Sequence, residues 1–410
     1  MFRSLIIFFG FLPLALAGQP IQMTLSSRLI NDPGSSAILV SNQYGVLRYY
    51  QVLGEERQED LSITVNQRIG EQLSLTVVQA VEDNGFFAFN NVTYRNLSSG
   101  AYIDKVNEEE DGARVYRQIE FFVDGVSAVE EVIVTGPVAM QPVYRIIGGR
   151  LFVAFSAPPY NGMLVLFKVN GEENFRHFYT SVGEQSIYEL SLADLSSGLT
   201  EHKISLPKDG DWEGAIQAFD GGTGQYFWVY NSERMLKLFK RQYLTAYIPQ
   251  EAEITHFELD LDHPGADGYS YYGRYETLPH QLEDFFFDPL FTENESKAFR
   301  FKVTEEEVGQ FYEVDYTYQA GRGIPDSHWR ILGAVGQAGE VDFILPDIPA
   351  ELYEVLPVLD LLLEPSTAVK RMLRCTRECE YDFSQKPYLL QRKEWRIEHG
   401  IQARSQETEF

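Results

Sequence analysis

Basic residues are scarce in this chain. It has 34 Lys and Arg against 60 Asp and Glu, a net charge of -26 over 410 residues. That balance excludes nucleic acid as a partner, because its binders present a basic face, and it disfavours anionic membrane surfaces. Cysteine is scarcer still, with only Cys375 and Cys379 present. A zinc site needs four ligands, and no ligand pattern surrounds this pair, His399 being the nearest histidine. In an oxidising compartment the two are expected to form a disulfide, whose very short loop adds little stability. Long apolar runs are missing after the first twenty residues, so no later stretch has the ~20 residues of a spanning helix. Helical periodicity is rare, and its best stretch, PAELYEVLPVLDLLL (349–363), is interrupted by Pro357. There is no G-x-S-x-G elbow, H-E-x-x-H helix, phosphate-cradling loop or dinucleotide fingerprint.

What is present begins with an address. Arg3 is a short positive region, Leu5 to Leu16 an apolar one, and Ala15-Leu16-Ala17 an A-x-A cleavage site, the order of a secretory signal. Removing residues 1–17 takes Arg3 away and leaves a net charge of -27 on a secreted or periplasmic chain. An outer-membrane barrel is disfavoured, because Arg404, Gln406 and Thr408 share a strand face with the terminal Phe410.

Aromatics are plentiful, with 28 Phe, 24 Tyr and 4 Trp, and they argue for a folded chain. They fall on short apolar or alternating runs such as SAILVSN, LSLTVVQAV, RLFVAFSA and GMLVLFKV, separated by turns such as NQYG, EDNG and IIGGR. This is an all-β pattern. The runs group in fours at residues 142–180 and 214–248, and less cleanly at 22–68 and 73–122. A period of ~40 residues is that of propeller blades. The expected organisation is a β-propeller-like region over 18–250, a β-sandwich-like domain over 251–399 and a disordered tail over 400–410. The alternative is tandem β-sandwiches. Basic residues collect late, at Lys370, Arg371, Arg374, Arg377, Arg392, Lys393 and Arg396, and are expected to dock on acidic neighbours within the chain.

Within AIQAFDGGTGQYFWVYN, Ala218, Asp220, Thr223, Gly224 and Trp228 occupy the places of an A-x-D, T-G, W repeat. This segment resembles the repeat of the quinoprotein-type β-propellers, and the likeness extends over residues 186–238. The resemblance implies a strand, a tight turn capped by Asp and Thr side chains, and a second strand whose Trp packs between blades. The full motif occurs once, and no quinone cofactor is inferred from it.

Two further stretches carry candidate sites. In FELDLDHPGADG, Asp260, Asp262 and Asp267 are hard oxygen ligands at short spacing, a weak calcium candidate. The competing pattern is a half-buried strand, with Phe257, Leu259 and Leu261 inward and Glu258, Asp260 and Asp262 outward. In YSYYGRYE, Tyr269, Tyr271 and Tyr275 share one face and form either a platform for a sugar or partner protein or part of an aromatic core. Asp326, Ser327 and His328 adjoin but read as a turn, since triad members come from separated elements. The functional expectation is an exported, non-catalytic β-protein that binds a partner protein or glycan at the cell envelope. The alternative is a secreted glycan-acting hydrolase using paired carboxylates.

Overall fold

A computed structural model describes residues 18–409 apart from 55–58, 84–85, 106–115, 137–141, 158–161, 182–185, 236–241, 265–266, 285–289, 296–297, 303–309, 320–325, 336–339, 356–358, 360–366 and 376–380. The leader expected at 1–17 and the acidic run at 108–111 lie outside the described residues.

The described chain is mostly β. The first strands are β1 (Gln19–Leu25), β2 (Ser35–Asn42), β3 (Leu47–Val52), β4 (Leu61–Gln67), β5 (Leu73–Asp83), β6 (Phe86–Tyr94) and β7 (Ala101–Ile103). Next come β8 (Arg117–Asp124), β9 (Val129–Val134), β10 (Val143–Ile147), β11 (Arg150–Ala157), β12 (Gly162–Val169), β13 (Arg176–Ser181) and β14 (Ile187–Ser191). Then follow β15 (Leu199–Ser205), β16 (Glu213–Asp220), β17 (Gln225–Asn231), β18 (Tyr243–Pro249), β19 (Ile254–His263) and β20 (Tyr269–Tyr275). The last are β21 (Leu290–Glu295), β22 (Ala298–Lys302), β23 (Phe311–Tyr318), β24 (Ser327–Ala334), β25 (Glu340–Ile344), β26 (Thr367–Cys375) and β27 (Ile401–Glu409). Helices are short: α1 (Ser27–Ile30), α2 (Ser232–Met235), α3 (Ala350–Val355) and α4 (Lys393–His399).

One long mixed sheet is the spine, in the order β13-β12-β17-β16-β19-β20-β27-β26-β23-β24-β6-β5-β2-β3, with β9 added beside β12. Four smaller sheets cover its faces. At one end, β4-β1-β7 packs on one face through Ile21, Met23, Ile63 and Ile103 against Ile38, Val40 and Leu75. On the opposite face β21-β22-β25 brings Phe299, Phe301, Val341 and Phe343 onto Leu39, Tyr312, Tyr316 and Trp329. At the other end, β10-β11-β8-β14 encloses Phe121, Val153 and Phe155 against Val165 and Phe167. The pair β15-β18 covers the reverse side with Ile204, Leu244 and Ala246. β2 and β12 of the spine are therefore buried on both faces, which is why they read as continuous apolar runs. In β12, Met163, Val165 and Phe167 enter one core while Leu164 and Leu166 enter the other.

The cores divide the chain in a way no linear boundary does. Two are built from residues 21–103 and 299–403, and two from residues 119–282. Residues 117–284 are thus a body inserted into an outer one. The boundary expected at 250 falls inside the inserted body, where β16 pairs with β19 along its whole length. The expected groups of four strands are also divided. Of 142–180, β10 and β11 join one sheet and β12 and β13 another. Of 214–248, β16 and β17 form a hairpin while β18 pairs with β15. Turn chemistry fixes only adjacent hairpins, and long-range faces choose the remaining partners.

The tail expected to be disordered is a strand. β27 lies between β20 and β26, with Ile401 and Ala403 buried in a core and Ser405 exchanging backbone hydrogen bonds with Gly268. Its polar composition hid this, because its polar side chains gain partners only in the assembled sheet.

Candidate functional site

Among the described residues, the side chains of both sequence-nominated stretches are engaged within the protein. Tyr269 and Tyr271 are buried in the core beneath β15-β18, stacked on each other and beside Trp212 at 6.0 and 5.8 Å. Tyr275 packs against the same core and is half-buried. The platform expectation is corrected: β20 turns this face onto a hydrophobic layer, where ring area is worth most. The carboxylates expected to hold calcium take partners within the protein. Asp260 pairs with Lys393, and Asp267 with Lys208 (2.9 Å) and Arg404 (2.6 Å). Asp262 faces Tyr272 and is pushed up from the usual carboxylate range by burial and, secondarily, by Asp260. Among the described residues no three His, Cys, Asp or Glu side chains come together as metal ligands. Gly265 and Cys379 lie outside the described residues, Cys375 ends β26, and no disulfide is present among the described residues. His328 meets Asp315 across the β23–β24 pair (3.4 Å), away from any triad arrangement with its sequence neighbours.

The repeat-like segment forms a tight hairpin. Asp220 ends β16 and is 3% exposed. Its carboxylate accepts from the Tyr179 hydroxyl (2.7 Å), Thr223 Oγ1 (3.1 Å) and the amides of Gly222 (2.9 Å) and Glu253 (3.2 Å). Burial alone would raise its pKa, but these donors together hold it below the ordinary value. Gly224 supplies the left-handed residue of the turn (φ 70).

Beyond this turn lies a strip that sequence reading missed. Register places Trp228, Gln217, Glu258 and Arg274 in one row across β17, β16, β19 and β20, and Tyr226, Phe219 and His256 in the next. Trp228, Tyr226 and Phe219 are half-buried and belong to none of the four cores. Phe219 stacks on His256 (5.1 Å) and meets Tyr226 edge-on (4.9 Å). The Tyr226 hydroxyl donates to Glu258 (2.9 Å), which also accepts two hydrogen bonds from Arg274 (3.0 and 2.6 Å). Burial, then Arg274, pushes the His256 imidazole down, while burial, then Glu258, pushes the Tyr226 phenol up. Both rings are thereby favoured in their neutral forms. The strip runs on through Asp260, Asp262 and Tyr272 to α4, where Lys393 meets Asp260 and Arg396 lies over the Tyr272 ring (5.4 Å). The signal that could have found it is the outward half of each alternating hairpin, but register was needed to join four strands into one surface.

No protein-family model matches the chain, and no curated protein matches it either.

Proposed function

We propose that this is an exported, non-catalytic β-protein that binds a glycan at the cell envelope, using the strip centred on Trp228. One observation carries the reading. Three aromatic rings left out of every core share a sheet face with Gln217, Glu258 and Arg274. Neutral rings beside paired hydrogen-bonding groups suit a sugar, whose apolar faces stack while its hydroxyls bridge donors and acceptors. The acidic chain and its signal-like first 17 residues support an extracellular setting, in which Cys375 and Cys379 would pair. The four cores, each between facing sheets, favour tandem sandwiches over propeller blades as the finer description of the fold. The test is calorimetry and tryptophan fluorescence against a panel of soluble polysaccharides. Binding is expected in the native chain and loss of at least tenfold affinity in Trp228→Ala, a change of about 1.4 kcal/mol. Binding unaffected by Trp228→Ala, or none across the panel, rejects the strip as a glycan site.

A second reading, a glycan-acting hydrolase, rests on Asp260 and Asp262. They lie two residues apart on one face of β19, about 7 Å between Cα atoms, and Asp262 is biased toward its protonated form. Two neighbouring carboxyl groups, one of them raised toward its protonated form, are the kind of pair from which an acid and a base are drawn. Reducing ends released by the native chain and lost in Asp262→Asn would favour it over simple binding.

A further inference from the structure

The central sheet is continuous only because of the C-terminal segment. In the strand order, β20 is the last strand of the inserted body and β26 the first of the outer body, and β27 is the strand between them. Its two seams are unequal. Nine residue pairs join β27 to β26, from Thr367–Glu409 to Cys375–Ile401. Three join it to β20, Tyr269–Arg404, Ser270–Ala403 and Tyr271–Gln402, and Ser405 and Gly268 exchange backbone hydrogen bonds just beyond them.

The helix before β27 crosses the same boundary. α4 sits on β20 and β19, its Lys393 paired with Asp260 and its Arg396 shared between Tyr272 and Glu313 of β23 (3.7 Å). On β27, Arg404 reaches Asp267 (2.6 Å), Asp284 (3.2 Å) and the face of Tyr269 (3.8 Å). Gly400, left-handed at φ 63, turns the chain between helix and strand. Two cations of this segment, Lys393 and Arg404, thus seat on acidic groups of the inserted body. Among the described hydrophobic residues of that body, Tyr272 packs against an outer core, and it lies under Arg396. Outside the segment, the Arg374–Glu283 pair (3.6 Å) also crosses, with Glu283 80% exposed, and such pairs contribute little.

We propose that residues 393–409 are a detachable strap: seated, they join the inserted body to the outer one, and released from β20 they uncouple the two while both retain their cores. A short hydrogen-bonded seam reinforced by screened ion pairs opens before large apolar cores do. The proposal is independent of what the Trp228 strip binds.

Hydrogen exchange read by mass spectrometry on the full chain tests it. Peptides covering Gly268–Tyr271 and Gln402–Ser405 should exchange through partial opening. Raising salt until the screening length falls below about 5 Å should speed that exchange roughly tenfold, the weight of two or three surface ion pairs. Peptides from β12 and β23 should not change. The variant Lys393→Glu/Arg404→Glu should show the fast behaviour already at low salt. Should that variant fold poorly, Ser270→Cys/Ala403→Cys, a cross-link at opposed positions, should abolish the salt effect in the oxidised form and restore it on reduction. Exchange of the strap that is indifferent to salt, or that rises and falls with the cores, overturns the proposal.

Discussion

The guanidinium of Arg404 lies 3.8 Å from the centre of the Tyr269 ring while its nitrogens bond Asp267 and Asp284. One residue comes from a polar tail and the other from a tyrosine-rich strand, so a single contact explains why neither segment is a free surface. A guanidinium against a buried ring, with two carboxylates, is a strong form of cation–π contact. Arg404→Ala is expected to cost about 2 kcal/mol and to lower the urea midpoint, whereas Tyr269→Phe, which keeps the ring, should change it by less than about 0.5 kcal/mol. Equal losses in the two variants would show that the hydroxyl, and not the stacked ring, matters.

Asp220 should be a conditional stabiliser. Its folded-state pKa is held low, so the unfolded chain binds the proton more readily. Stability from this group is complete above the unfolded value near 4 and is lost as pH falls through the lower folded value. Asp220→Ala leaves Tyr179, Thr223 and two amides without their acceptor and should cost roughly 3 kcal/mol at pH 7. Denaturation curves of the two proteins should converge on acidification, and a gap that widened would contradict the assignment.

Asp262 should behave in the opposite sense. Its folded pKa is raised, chiefly by burial, so the folded chain holds the proton longer. Stability then falls as pH rises from the unfolded value through the folded one. Asp262→Asn is expected to match or exceed the native melting temperature at pH 7, and any advantage should vanish below about pH 4. A variant less stable at pH 7 would mean that the charge is held by Arg371 and Arg396 more firmly than burial penalises it.

Lys370 is 1% exposed on β26, and burial brings its pKa down to about 8. The unfolded amine holds its proton to about pH 10.4, so between these values the unfolded state is the more protonated and stability rises with pH. Lys370→Met should be more stable than the native chain by up to about 3 kcal/mol at pH 7, the difference shrinking toward pH 10. Thermal melts across that range check the slope.

Local patterns were legible where one strand answers to one face. Phe257, Leu259 and Leu261 are buried and Glu258, Asp260 and Asp262 face the other way, as their alternation dictates. The capped turn at Asp220, Thr223 and Gly224 was legible for a similar reason, since the hydrogen bonds from Gly222, Thr223 and the Gly224 amide to Asp220 close within the hairpin. Three of the late basic residues met acidic partners, at Arg374–Glu283, Lys393–Asp260 and Arg396–Glu313. The strip was not legible, because Trp228 and Arg274 share a row only through β16 and β19.

Residue pattern alone establishes that the chain makes short strands, which residues of each strand point together, and that the chain is acidic. Those properties rest on a two-residue period and on turn chemistry, both local. Long-range packing makes residues 117–284 an insertion, puts Tyr269 and Tyr271 into a core, and turns a polar tail into the strand between two bodies of one sheet. Each depends on a partner far away in sequence, and a strand offers equivalent hydrogen bonds to every edge until the packing of its faces selects one.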